Sequence, residues 1–426
     1  MTRNRIIGGT PMRTQMLELG QSWDVLQARL HQLSAEDANW RANRLGVFVF
    51  DPGPEVLQVA KDAYGLFMSE NGLGASSAFP SLKQMEDDVV SMGLNLLNAP
   101  ESACGNMTSG GTESIFLAVK TCRERARAQG KDTRDAEILM PRSAHLAFDK
   151  AAHYLDLNVV RIPVGSDFLA DTKAIENAIT ERTLMLVGSA PCFPYGMIDP
   201  LPELNDLALS NNIWLHVDAC VGGYFAPFAR MNGAELTPFD FELEGVRSVS
   251  ADLHKYGYSA KGASTLFHRT EEQREHQLFS SSDWACGEFG TPTLAGTRPG
   301  GAIASAWAVM NFLGTQGYRR KTETVIQTRL ELQRGIESIA GMEILGDPQL
   351  GLLIYRSIDL DSRSIHHEMM QRGWFSPLLC EPDAIHLMLS PGHQNVIDEY
   401  LQDLNNSIES VRLDPGIDRR SVSRYN

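Results

Sequence analysis

Ser250-Ala-Asp-Leu-His-Lys-Tyr-Gly-Tyr258 is the stretch on which the reading of this chain turns. The segment from Val246 to Ala251 leads into it and reads as a strand closing an alternating series, so Lys255 falls just past a strand end. A lysine there is ordinarily a solvated surface residue. This one is flanked by His254, Tyr256, Gly257 and Tyr258. Such neighbours desolvate an ammonium group, which is how a lysine becomes a nucleophilic amine.

Outward from that stretch, short apolar runs alternate with helical patterns. Strands are expected at 137–140, 158–164, 183–188, 213–217, 246–251 and 264–268, and helices at 112–128, 143–155, 172–179 and 201–210. This alternation predicts an α/β fold with a mostly parallel central sheet and helices on both faces. Upstream, residues 12–46 read as helical, and further helices are expected at 55–67 and 82–97. Downstream, a long helical run at 301–340 leads into a small C-terminal α+β domain. The expected organisation is an N-terminal helical segment at 1–60, a large domain at 61–300, and the long helix with the small domain at 301–426. The last residues, with Arg419, Arg420 and Arg424, read as a loose tail.

Two more stretches carry chemistry. Ile213-Trp-Leu-His-Val-Asp-Ala-Cys-Val-Gly-Gly223 runs an apolar strand straight into Asp218. Open α/β sheets place functional groups at the carboxyl ends of strands, and a carboxylate there can hold a proton on a bound ring nitrogen. His216, inside the strand, reads as a packed core histidine. Asn106-Met-Thr-Ser-Gly-Gly-Thr-Glu-Ser114 opens a helix with small residues, so the amides around Ser109, Gly110, Gly111 and Thr112 offer an anion cradle. It lacks the Gly-Lys-Ser/Thr of a nucleotide P-loop. Ser143-Ala-His-Leu-Ala-Phe148 adds His145, at a junction from which an imidazole could stack on a flat ring.

Composition bounds the rest. With 426 residues, 43% of them hydrophobic and 21% charged, the chain can bury a large core of several packed units. A formal net charge of −15 leaves no basic excess for a nucleic-acid partner. The six cysteines form no C-x-x-C pair or other metal-ligand spacing, so no metal site is expected and they read as free thiols of a reducing compartment. The N-terminus has no run of signal-peptide length, and no apolar stretch could span a bilayer, so the expected location is the cytoplasm.

Taken together these blocks resemble the group II pyridoxal-phosphate decarboxylases, on the branch of the sphingosine-1-phosphate lyases. The carrying sequences are Thr108 to Ile115, His145 to Ala152, Phe193-Pro-Tyr-Gly-Met-Ile-Asp-Pro200, His216 to Cys220, Ser250 to Tyr258, and Ala295-Gly-Thr-Arg-Pro-Gly-Gly301. The resemblance implies the fold-type I architecture, like that of aspartate aminotransferase, and a homodimer with its active sites at the interface. It implies pyridoxal 5'-phosphate as cofactor, held by Lys255 as a Schiff base, with Asp218 on the ring nitrogen and His145 on the ring face. Gly110, Gly111, Ser250 and His254 fall at its phosphate-side positions, and Gly296 and Thr297 match a segment reaching the phosphate from the partner subunit. Tyr195, Lys261 and Arg298 are the substrate-side candidates. The lyases carry a His-Pro pair where this chain has Gly74-Ala-Ser-Ser-Ala78, and a tyrosine near Val47 to Phe50, where it has none. Their histidine in Pro-His-Gly is Tyr195 here, whereas their lysine six residues beyond the Schiff-base lysine is kept as Lys261.

The expected activity is carbon–carbon cleavage of an amine substrate, either retro-aldol cleavage of a phosphorylated or other β-hydroxy amine or amino-acid decarboxylation. A non-catalytic binding module on the same fold is the third reading, and keeping both Lys255 and Asp218 speaks against it.

Overall fold

The computed structural model describes residues 13–414, so the expected C-terminal tail lies outside the described residues. Packing divides the chain into two units, one up to Asn39 and one from Trp40. In the first, the helix Trp23–Leu33 buries none of its residues, and Met16, Leu19 and Leu33 are exposed. The single helical run expected over 12–46 is therefore shorter: it ends with Ser34 as C-cap, and only one further turn, Trp40–Ala42, follows. From there the chain is irregular, with Asn43 and Phe48 at positive φ, while Val47 and Phe50 are buried.

The second unit is built on a seven-stranded sheet. Its strands are β1 (Cys104–Thr108), β2 (Glu137–Pro141), β3 (Asn158–Ile162), β4 (Thr183–Ser189), β5 (Trp214–Asp218), β6 (Val246–Ala251) and β7 (Ser264–His268), in the order β1-β7-β6-β5-β4-β2-β3. Neighbours pair in parallel except at β7, which runs antiparallel to both β1 and β6. β2, β4, β5 and β7 are buried along their whole length, with apolar runs at Ile138–Met140 and Leu184–Val187 and buried polar residues within β5 and β7. β1 was not expected as a strand. Its sequence, Cys-Gly-Asn-Met-Thr, has no β-branched run, and it is set by pairing with β7 from Cys104↔His268 to Thr108↔Ser264.

A hairpin, β8 (Phe279–Ser281) and β9 (Phe289–Thr291), leads to the long helix Gly300–Glu337. That helix is interrupted at Gly314, whose φ of 53° and ψ of −179° leave helical space. The small C-terminal sheet has the order β10-β11-β13-β12 and is antiparallel throughout, with β10 (Met342–Ile344), β11 (Leu352–Ser357), β12 (Leu378–Cys380) and β13 (Asp383–Met388). The helix Ser362–Gln371 packs on it, and Ile397–Leu413 packs against that helix and reaches the sheet through Tyr400, whose hydroxyl pairs with that of Tyr355. Among the described residues no helix is long and apolar enough to cross a membrane.

Candidate active site

β1, β2, β4, β5 and β6 point the same way, so their carboxyl ends meet at one edge of the sheet. Ser109 follows β1, His145 follows β2, Phe193 follows β4, Asp218 ends β5, and Asp252 to Lys255 follow β6. All of these residues except Leu253 line one cavity of about 420 Å³. Small-molecule sites commonly enclose about 300–1,000 Å³ and collect at such strand ends.

Lys255 reaches this cavity because the residues after it are anchored elsewhere. Tyr256 is buried, and its hydroxyl donates to the carbonyls of Leu389 (2.7 Å) and Gly351 (3.2 Å) on the C-terminal side. The amide of Tyr258 closes the turn on the Lys255 carbonyl at 3.0 Å. Lys255 Nζ lies 3.0 Å from Asp252 Oδ2. Burial alone would lower the ammonium, but the Asp252 carboxylate outweighs it and holds Lys255 above the ordinary lysine value. The desolvated lysine expected from sequence is thus a paired one. Asp252, three residues upstream within the same motif, was not singled out from the sequence. Its only signal was the acidic residue at i−3 of the lysine.

Asp218 is fixed by register, opposite Ser189 of β4 on one side and Ser250 of β6 on the other. The Cys220 amide donates to its Oδ1 at 3.1 Å, and Ser250 Oγ lies 3.5 Å from the same oxygen. Oδ2 therefore remains for a donor in the cavity. Ser250 is fully buried, and its hydroxyl faces Asp218, Cys220 and His216 within the sheet rather than the cavity. His216 is wedged between Ser248 Oγ (2.7 Å) and Ser250 Oγ (3.3 Å), and burial pushes it down to about 4. It is the core histidine its strand position suggests.

His145 accepts the Ala147 amide at Nδ1 (3.1 Å), and burial lowers its pKa, so the neutral ring carries its proton on Nε2. His254 is pushed down to about 4 by burial, and its Nδ1 is buried without a hydrogen-bond partner. Ser109, Gly110, Gly111 and Thr112 line the cavity at the start of the helix Gly111–Ala128. Glu113 caps this turn, taking the Ser109 amide on Oε2 (2.7 Å) and the Leu294 amide on Oε1 (2.9 Å).

The remaining sequence candidates lie elsewhere in the chain. Tyr195 is buried and its hydroxyl donates to the Glu381 carbonyl at 2.9 Å. Arg298 is clamped by both oxygens of Glu86, at 2.6 and 2.8 Å. Thr297 Oγ1 accepts from Asn71 Nδ2 at 3.2 Å, and Gly296 borders a separate surface cleft with Arg298. Lys261 donates to the carbonyls of Phe48 (2.7 Å) and His254 (3.3 Å), over the Phe50 ring, and burial lowers it to about 8. None of these residues lines the cavity of Lys255. Phe193 does, and its carbonyl accepts from His386 Nε2 at 2.9 Å.

The cavity fits pyridoxal phosphate on its own features. The helix start offers amides to an anion, with the orphaned His254 Nδ1 beside it. Gly110 leaves the cradle open, since a Cβ there would meet nothing nearer than His254 Cε1 at 3.4 Å. Asp218 keeps an oxygen for a ring N–H, and Lys255 supplies the amine for an aldehyde.

Residues 50–358 match the family described as the pyridoxal-dependent decarboxylase conserved domain. The chain is 40% identical over 421 residues to sphingosine-1-phosphate lyase of Oryza sativa subsp. japonica, covering 96% of this chain and 77% of that protein. Its fold matches the structure of a sphingosine-1-phosphate lyase from Burkholderia pseudomallei with a TM-score of 0.89 at 34% identity, over 95% of this chain and 94% of the other. A glutamate decarboxylase from Lactobacillus brevis matches with a TM-score of 0.81 at 21% identity, over 93% and 95%, a likeness of fold alone.

Proposed function

Because the chain belongs to the pyridoxal-dependent decarboxylase family, within its sphingosine-1-phosphate lyase branch, we propose that it cleaves a phosphorylated β-hydroxy amine by retro-aldol chemistry centred on Lys255. The enzyme is a pyridoxal-phosphate-dependent lyase of the sphingosine-1-phosphate lyase-like type. The observation that carries the residue roles is the convergence of Lys255, Asp218, His145 and the Ser109–Gly111 turn on one cavity.

When bound, the cofactor supplies an electron sink for the bond broken beside the substrate amine. The chain's own groups bind and orient it. The helix start and His254 would take its phosphate. Asp218 Oδ2 would hold a proton on the ring nitrogen, and the neutral His145 would lie against the ring. Lys255 Nζ would bind the cofactor covalently, release it to the substrate amine, and then hold or move a proton. Phe193 would narrow the cavity and exclude water, braced by His386.

Lys261 supports a phosphorylated substrate. Two of its three N–H groups are committed to carbonyls, leaving one N–H and the charge for an anion. We also infer a homodimer, in which Gly296 and Thr297 of one protomer reach the cavity of the other. Their placement away from the cavity within their own chain fits that reading.

The test is a product assay on the holoenzyme, paired with borohydride reduction and peptide mass analysis. Aldehyde released from a phosphorylated long-chain amino alcohol is expected, with the reduced cofactor on the peptide carrying Lys255. Carbon dioxide from an amino acid, without aldehyde, would instead establish the decarboxylase reading. Cofactor trapped on another lysine would remove the central assignment. The holoenzyme is expected to sediment at twice its 47.0 kDa chain mass.

A further inference from the structure

We propose that Asp252 is a further catalytic group of this site, holding Lys255 Nζ in place and carrying one proton for it whenever the lysine changes between ammonium and amine. The proposal rests on the reading of Lys255 as the cofactor-binding lysine and adds a second residue to that step.

The geometry is specific. Asp252 Oδ2 lies 3.0 Å from Lys255 Nζ and 3.8 Å from His254 Nε2. The turn is closed by the Lys255 amide on the Asp252 carbonyl (3.3 Å), and the Asp252 amide donates to the Cys220 carbonyl (3.3 Å). The carboxylate side chain is only 2% exposed, and its Oδ1 is buried with no hydrogen-bond partner. A carboxylate buried this deeply costs stability unless it is paired, and Lys255 is the cation that pairs it and holds it below the usual carboxylate range against the effect of burial. It is also confined: a Cβ on Gly111 would lie 2.9 Å from Oδ2 and 3.1 Å from Oδ1, so the helix start leaves it little room to swing away.

The proton step balances within the pair. An N–H bond of the Lys255 ammonium breaks and an O–H bond forms on Asp252 Oδ2. The lysine becomes a neutral amine with a free electron pair, and Asp252 becomes a carboxylic acid. The pair has no net charge before or after. The nucleophile is therefore made without leaving a lone charge buried, which is the costly alternative. The other titratable groups around the pair are His254 and Lys261 from its own segment, Cys220 and Asp218 from the end of β5, His145, and Tyr224, whose phenol burial keeps neutral. His254 is held neutral by burial, as is Cys220, whose thiol is pushed well above its ordinary value, so neither competes for the proton.

The experiment titrates the visible absorbance of the holoenzyme against pH, in the native chain and in Asp252→Asn. A negative charge beside Nζ strengthens its hold on a proton, so removing it weakens that hold. The midpoint of the Asp252→Asn variant is expected at least one unit lower, about a tenfold loss of proton affinity. An unchanged or higher midpoint overturns the proposal. Where Asp252→Asn fails to fold, Asp252→Ser carries the same expectation with a smaller neutral side chain. Lys255→Ala separates the two readings. Loss of the lysine-bound band in that variant, with no midpoint shift in Asp252→Asn, leaves Lys255 assigned and removes Asp252. Persistence of the band in Lys255→Ala overturns both.

Discussion

Two adjacent glycines at the helix start make opposite predictions, because only one of them is packed by the protein itself. An alanine Cβ at position 111 would lie 2.7 Å from Cys220 Sγ and 2.9 Å from Asp252 Oδ2. Both are short buried side chains, and Asp252 cannot retreat without leaving Lys255. Gly111→Ala is therefore an overpacking change, worth about 1–3 kcal/mol of protein stability. At position 110 the nearest atom is His254 Cε1 at 3.4 Å, an ordinary contact. Gly110→Ala should leave the protein's stability unchanged, yet place a methyl group in the cradle proposed for the cofactor phosphate. Losing or stretching one charged hydrogen bond there costs about 1.5–3 kcal/mol, or about 10- to 150-fold in affinity. Thermal unfolding of cofactor-free protein reads the first effect, and a cofactor titration followed by absorbance reads the second. Native cofactor affinity in Gly110→Ala would place the phosphate elsewhere, and a native melt in Gly111→Ala would refute the packing argument.

Further outcomes follow from a buried ion pair and from the buried titratable groups. Arg298→Ala should destabilise the fold, because it strands the Glu86 carboxylate that also takes the Met107 amide at 3.0 Å. The loss should reach the low end of about 3–5 kcal/mol, since the guanidinium keeps some exposure. A denaturation midpoint equal to the native one, with only the KM raised, would return Arg298 to the substrate side. Stability should also depend on pH. His216, His254, His268 and His386 are each pushed down to about 4 by burial, from an ordinary 6.5. Unfolding lets them bind protons across that window, so stability present above 6.5 is lost as pH falls towards 4. Asp199 opposes them: burial raises it from 3.8 to about 7, so its contribution is present at low pH and lost as pH rises through 7. The histidines outnumber it, and the unfolding temperature should drop between pH 6.5 and pH 4.5. His386→Gln should flatten that slope, and a native chain with no slope would contradict the buried histidine count.

The strands were legible where both faces are covered, because a fully buried strand leaves an uninterrupted apolar run. Ile138-Leu-Met140 and Leu184-Met-Leu-Val187 are of that kind, whereas Trp214-Leu-His-Val-Asp218 and Ser264-Thr-Leu-Phe-His268 bury polar residues among the apolar ones. β1 was not legible, since tertiary pairing with β7 rather than local propensity makes it a strand. The helix expected across 12–46 failed for a related reason: mixed apolar and charged residues at helical spacing do not say where tertiary contacts stop. Lys255, Asp218 and His145 could be placed because each sits next to an expected strand end, and the Ser109–Thr112 turn because small residues open the helix that follows. Arg298, Thr297 and Tyr195 are in loops whose partners, Glu86, Asn71 and Glu381, are distant in sequence. No local pattern announces such pairings.

The site also has a charge logic that no single motif carries. Asp252 matches the Lys255 ammonium at 3.0 Å, and Asp218 keeps an oxygen for a protonated ring nitrogen, so each carboxylate would have one cationic partner. Burial keeps His145 and His254 neutral. The cofactor phosphate would then rely on helix amides and a neutral imidazole, which are donors without a full charge. A second phosphate, on the substrate, would find those donors already committed. Of the residues discussed, only Lys261 brings a cation near the cavity without a carboxylate partner, although two carbonyls already share its ammonium. The substrate phosphate should therefore be held more weakly than the cofactor's. Lys261→Ala should raise KM for a phosphorylated substrate while leaving cofactor loading unchanged. Equal loss of both would mean that Lys261 braces the Lys255 turn through the His254 carbonyl instead.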